Sequence, residues 1–208
     1  MREPLFTPNN DWLLQEGDRS NPEIQQRAAL HRAIGLAIES AFTYGLDLPV
    51  GAVVLERGAI IGRGFANDSR FGYSHLHAEQ MALHDSQFTD FSSGKPDTVV
   101  VTIEPCGNCQ DMLANIPSLS RVAFGISRVE VADMGLVNPK EEDIFDRVNR
   151  YGHTYRVVQV EDEALRAAGL TVLSNVHRDQ ETGDVEVDRV SLHNALVALN
   201  EAGSTSTA

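Results

Sequence analysis

The chain has only two cysteines in 208 residues, no apolar stretch near the length of a membrane span, and no run of basic residues. Each scarcity excludes something. Two cysteines cannot build a disulfide framework, so the fold rests on its own core. A spanning helix needs roughly 18 or more consecutive apolar residues, and none is present. Met1 to Leu14 holds Arg2, Glu3, Asp11 and two prolines rather than a basic segment followed by an apolar one. No secretory leader is expected, and the cytoplasm is the expected compartment. The formal net charge of −13 repels nucleic acid at long range, because such binding rests on Lys and Arg displacing counterions from phosphates. Nucleic acid is therefore not the expected partner, and a small-molecule substrate is. With 42% hydrophobic residues, the chain falls in the ordinary globular class rather than the disordered or membrane classes.

What is present is an alternation of helical and extended patterns. Ser20-Asn21-Pro22-Glu23 is a helix start, with a capping side chain, a proline in the first turn and an early acid. Ile24, Ala28, Ile34, Ala37, Ile38 and Ala41 recur at near-helical spacing until Tyr44-Gly45 ends the run. Residues 49–55 form a valine-rich strand, Arg57-Gly58 a turn, and 59–65 the return strand of a hairpin. A loop over 66–76 leads to a second helix carrying His77, Glu79, Met81, Ala82 and Leu83. Residues 98–103 are almost continuously β-branched, as in a strand buried on both faces. Pro105 opens a third helix running to Asn115, and 121–126 is another buried strand. A helix over 139–150 and a strand over 155–160 follow, so that the last two strands are parallel.

This order predicts an α/β fold on a mixed five-stranded sheet. Beyond it, 161–168 reads as a short helix, 171–176 and 185–190 as paired strands, and 192–200 as a helix. The expected organisation is an irregular arm over 1–20 and one domain over 21–160. An extension over 161–202 packs on that domain, and a disordered polar tail covers 203–208.

Two short motifs carry chemistry: His77-Ala78-Glu79 and Pro105-Cys106-Gly107-Asn108-Cys109. Cysteines three apart share one face of a helix, so both sulfurs reach one metal. A helix N-terminus adds partial positive charge and favours the thiolates a metal requires. His77 supplies a third donor. Three protein donors leave the fourth position of a tetrahedral zinc ion open, as in a catalytic site. Zinc makes a water nucleophile available at neutral pH, and Glu79 is near enough to exchange its protons without binding the metal.

Simpler readings of the same residues exist. Cys-x-x-Cys also serves redox pairs, but here a His-x-Glu lies upstream and no aromatic residue precedes Cys106. His75 could complete a closed Cys2His2 site, yet it stands two residues from His77 where such sites space histidines by three to five. Alone, Glu79 is what a first helical turn favours anyway. Glu104 reads either as a brace for the cysteine loop or as a solvated acid, and Asp111 either as support for the site or as exposed.

His-x-Glu followed by Pro-Cys-x-x-Cys is a known signature of nucleobase deaminases. With these motifs, and with Pro49-Val50-Gly51-Ala52-Val53 before them, the chain resembles the cytidine/deoxycytidylate deaminase superfamily from Ile24 to Val131. Thr102-Ile103-Glu104-Pro105-Cys106 looks most like the branch of tRNA adenosine deaminases, guanine deaminases and riboflavin-pathway deaminases. Pro-Cys-Gly-x-Cys is closer to small cytidine deaminases. The resemblance implies a three-layer α/β/α sandwich, commonly a homodimer, with a neighbouring subunit helping to recognise substrate. It implies a Zn2+ cofactor and hydrolytic removal of an exocyclic amine, as ammonia, from a nucleobase, nucleoside or related small heterocycle. Asn67 and Ala78 are the positions it implies for substrate contact. Two rivals stay open: a tRNA adenosine deaminase, and a non-catalytic scaffold of this fold that keeps zinc for stability.

Overall fold

The Asn21 side chain accepts a hydrogen bond from the Glu23 N–H at 3.0 Å, and α1 (Pro22–Tyr44) starts at that cap. The expected hairpin follows as β1 (Gly51–Glu56) and β2 (Ala59–Phe65). Its two-residue turn needs positive φ, which Arg57 at 49° and Gly58 at 79° supply. The order continues α2 (Ala78–Thr89), β3 (Thr98–Ile103), α3 (Gly107–Ala114), β4 (Arg121–Ile126) and α4 (Arg128–Asp133). Then come α5 (Ile144–Tyr151), β5 (Arg156–Gln159), α6 (Glu163–Ser174), β6 (Val176–Arg178), β7 (Val185–Val187) and α7 (Arg189–Thr205). This computed structural model describes residues 21–44, 48–66, 76–89, 95–137, 144–152, 155–178 and 185–205. The arm over 1–20 lies outside the described residues.

Five strands form one sheet in the order β2-β1-β3-β4-β5. β1 runs antiparallel to β2 and β3, while β3, β4 and β5 are parallel, so the sheet is mixed as expected. The period of two along the strands sends alternate side chains to opposite layers. Val53, Leu55, Val100 and Ala123 meet Leu30, Ile34 and Ile38 of α1, together with Leu165 and Val172 of α6 and Leu192 and Leu199 of α7. Ala52, Val54, Val99, Val101 and Phe124 face the other way, toward Ala82 of α2, Leu113 of α3 and Ile144 of α5. The sheet is the middle of three layers. Among the described residues, no helix is long and apolar enough to cross a membrane.

The C-terminal third departs from the expected pattern. The strand expected over 171–176 is instead the end of α6, with only Val176 in β6. Gly169 followed by β-branched Thr171 and Val172 reads as a stop and a strand. In the fold, a Cβ on Gly169 would stand 2.8 Å from Ile126 Cδ1, so the glycine marks close packing inside a helix. Leu165, Ala168 and Val172 then share the buried face. The strand expected over 185–190 stops at Val187, because Asp188 Oδ1 accepts from the N–H groups of Val190 and Ser191 at 3.0 and 3.2 Å. That cap starts α7 three residues before the expected helix over 192–200. The helix also continues through Gly203 to Thr205, into the segment expected as a disordered tail. No proline follows Gly203, and one glycine costs a helix only about 1 kcal/mol. The helix expected over 139–150 is described from Ile144 to Tyr151, with 138–143 outside the described residues.

Candidate metal centre

Helix α2 reaches its place because β2 has no side chains in the way. A Cβ on Gly64 would stand 2.3 Å from Ala82 N and 2.4 Å from Ala78 O, and one on Gly62 would stand 2.2 Å from Ala82 O. Only glycine allows that approach. His77 directly precedes α2, and its N–H donates to Gln80 Oε1 at 3.1 Å, half of a capping box that fixes the histidine backbone. Glu79 follows in the first turn and is 4% exposed.

The cysteine loop leaves the carboxyl end of β3. The sequence places Pro105 at the start of a helix, but α3 begins two residues later, with Cys106 as its N-cap in an extended conformation (φ −69°, ψ 165°). The Gln110 N–H donates to Cys106 O at 2.9 Å, and the buried Gln110 Nε2 donates to Pro105 O at 2.7 Å. These bonds hold Cys106 at the helix mouth, with Cys109 in the first turn behind it.

His77 Nδ1 lies 3.4 Å from Cys106 Sγ and 3.2 Å from Cys109 Sγ, and the three donor atoms lie within 4.8 Å of one another. Bonds of about 2.0–2.1 Å to nitrogen and 2.3 Å to sulfur at a tetrahedral zinc ion put N and S about 3.5 Å apart. Both nitrogen-to-sulfur distances match that ion to within a few tenths of an ångström. The hydrogen bond from Cys109, followed by the contact with His77, holds the Cys106 thiol well below its ordinary value. Cys109 is pushed up by giving that bond and by burial. Burial, then the neighbouring Cys106 charge, pushes the Glu79 carboxyl up.

A pocket of about 80 Å³ opens beside the donors. Its lining includes His77, Ala78, Glu79 and Cys106, the apolar Leu48, Val50 and Ile103, and Glu104 and Arg128. It sits beyond the carboxyl ends of parallel β3 and β4, where open α/β sheets hold ligands.

The sequence-predicted residues divide cleanly. His77, Glu79, Cys106, Cys109 and Ala78 come together at the pocket, while Asn67 and His75 lie outside the described residues. Glu104 is a buried acceptor rather than a solvated acid: its oxygens accept from the N–H groups of Arg128 and Ile144. Asp111 is largely exposed and pairs with Arg147 at 2.6 Å. Arg128 was not among the expected site residues, and neither was α4. Its signal is Ser127-x-x-Glu130, a capping box formed in both directions, at the carboxyl end of a buried strand.

Residues 24–126 match the family model described as the cytidine and deoxycytidylate deaminase zinc-binding region. The region over 24–126, about half of the chain, belongs to this deaminase family. His77, Cys106 and Cys109 are the donor cluster inside the superfamily's zinc-binding region, so zinc is the metal that this site takes. Among curated relatives, a tRNA-specific adenosine deaminase of Streptococcus pyogenes serotype M18 is 36% identical over 84 residues, 39% of this chain and 51% of the relative. Riboflavin biosynthesis protein RibD of Escherichia coli K12 is 30% identical over 123 residues, 56% of this chain and 29% of the relative. The chain thus spans about half the length, or less, of these two relatives. Among solved structures, a mutant of the protein NE0047 in complex with 8-azaguanine superposes with a TM-score of 0.60 at 21% identity. That match covers 84% of this chain and 97% of the other, a likeness of fold.

Proposed function

We propose that the chain is a zinc-dependent hydrolytic deaminase that replaces the exocyclic amine of a nucleobase, nucleoside or related small heterocycle with oxygen, releasing ammonia. One observation carries this reading: a buried carboxyl, Glu79, shares a small pocket with a three-donor cluster of the kind that leaves one zinc position open. When bound by His77, Cys106 and Cys109, zinc supplies the Lewis acidity that makes a water nucleophile available near neutral pH. Glu79 takes a proton from that water at a carboxylate oxygen and passes it to the ring nitrogen. It then takes the second proton from the oxygen now attached to the ring and delivers it to the amine, which departs as ammonia. Leu48, Val50 and Ile103 give the ring an apolar lining and exclude bulk water from these transfers. Ala78 in the lining, and Asn67, are the proposed substrate contacts. Residues 21–160 serve as the catalytic unit and 161–202 as its extension, in a cytoplasmic homodimer.

A second reading has its own support. The net charge of −13 argues against nucleic acid, yet curated relatives include tRNA-specific adenosine deaminases. On that reading the amine belongs to an adenosine in tRNA. Ammonia release from a panel of bases and nucleosides, and from an anticodon stem-loop RNA at low and moderate salt, separates the two. Release from a small substrate, without salt-sensitive RNA binding, supports the first reading. Release from the RNA alone supports the second. One zinc per chain with no ammonia from any substrate would overturn both and leave a zinc-bearing scaffold.

A further inference from the structure

Glu104 directly follows β3, two residues before Cys106, and is 2% exposed. Its Oε2 accepts from the Arg128 N–H at 2.9 Å, and its Oε1 accepts from the Ile144 N–H at 2.8 Å. Arg128 and Ile144 are the first residues of α4 and α5. One buried carboxylate thus satisfies orphan donors at two helix N-termini, where its charge is also favoured. α5 returns to the cysteine loop through Arg147. Its Nη2 donates to Asp111 Oδ1 on α3 at 2.6 Å, and its Nη1 stands 3.1 Å from where a Gly107 Cβ would be. Glu104, α5, Arg147 and α3 therefore close a ring around Pro105-Cys106-Gly107.

We propose that Glu104 is a positioning residue for the metal donors. It locks the cysteine loop to α4 and α5, so that Cys106 and Cys109 hold their spacing to His77 before metal arrives. This rests on the reading of those three residues as zinc ligands. A carboxylate is required because both partners are donors; an amide offers one acceptor and turns its own N–H toward the other. A merely structural acid would change stability and leave the metal site of the folded protein as it was.

The test uses the full chain, as the parent and as Glu104→Gln, Arg128→Pro and Arg128→Ala. Position 128 is the first of its helix, where proline is tolerated, and Ser127 at φ −72°, ψ 155° already has the conformation preferred before proline. Arg128→Pro therefore deletes one N–H donor to Glu104, while Arg128→Ala deletes the same guanidinium and keeps the N–H. Zn2+ affinity is read by chelator competition, the thiolate-to-metal band by Co2+ substitution, and folding by circular dichroism.

Glu104→Gln and Arg128→Pro should each lose about tenfold or more in Zn2+ affinity and shift the Co2+ band. Arg128→Ala sets the reference for the lost guanidinium, and Arg128→Pro should lose about tenfold more than it does. If Glu104→Gln does not fold, the two Arg128 variants decide. Parental affinity and spectrum in folded Arg128→Pro would overturn the proposal, as would equal losses in Arg128→Pro and Arg128→Ala. A parent that binds Zn2+ no better than its His77→Ala variant would overturn the ligand assignment itself, and the proposal with it.

Discussion

On one side of the sheet, α1, α6 and α7 are 23, 12 and 17 residues long and bury leucine, isoleucine, valine and alanine against Val53, Leu55 and Val100. On the other, α3 and α5 are eight residues each, and Glu79, Glu104 and Gln110 are enclosed among them and α2. Short helices have more ends per residue, and every N-terminus leaves N–H donors that need partners. Glu104 and the capping box of Ser127 and Glu130 answer that need. The long-helix side buries mainly apolar side chains and supplies cohesion, with Gln26, His31, Arg32 and Ser40 of α1 as the polar groups buried among them. The short-helix side spends burial on polar groups and gathers helix starts around one pocket.

If the two sides divide stability from chemistry, variants on each should fail differently. The largest effect is expected from Cys109→Ala. Zinc, measured by elemental analysis, should fall from one per chain to none and ammonia release to background, while far-ultraviolet circular dichroism stays near parental. Retained zinc would break the assignment. Leu199→Ala, at a fully buried position of α7, should cost about 2–5 kcal/mol in urea unfolding and leave the zinc affinity of the folded protein within twofold. Gly64→Val tests the mechanical link between sheet and site. Overpacking should cost about 1–3 kcal/mol, and because α2 carries His77, zinc affinity should fall as well.

The smallest effect is a pH dependence from the cohesive side. His31 is 3% exposed, and its Nε2 lies 2.9 Å from Leu199 O, tying α1 to α7. Burial holds its pKa below the ordinary value, with Arg32 acting in the same direction. The unfolded chain then takes up the proton more readily than the folded one, so stability rises with pH. This contribution is full above the unfolded value near ~6.5 and is lost as pH falls through the folded one. Urea midpoints of the parent and His31→Gln, measured from pH 8 to pH 5, should converge as the pH drops.

Local signals made much of this legible in the sequence. The cap at Asn21, the β-branched run of β3 and the donors His77, Cys106 and Cys109 all declare themselves within a few residues. What was hidden depends on distant neighbours. Glu104 finds its partners 24 and 40 residues away, so no window of sequence separates a brace from a solvated acid. Gly169 looks like a helix end until Ile126 is seen where its side chain would be. Asp188 and Ser127 are different, because their caps lie within three residues and were readable in principle. The substrate stayed illegible for a physical reason: specificity lies in loop contacts around the pocket, and no spacing rule encodes them.

Turnover rests on Glu79 moving protons beside a bound metal, so the most direct measurement pairs ammonia release with zinc content in the parent and Glu79→Gln. The variant keeps the shape of the side chain and removes its acid. Zinc should stay at one per chain while turnover falls by about 10²–10⁴-fold. Turnover within a few-fold of the parent, at equal zinc content, would contradict it.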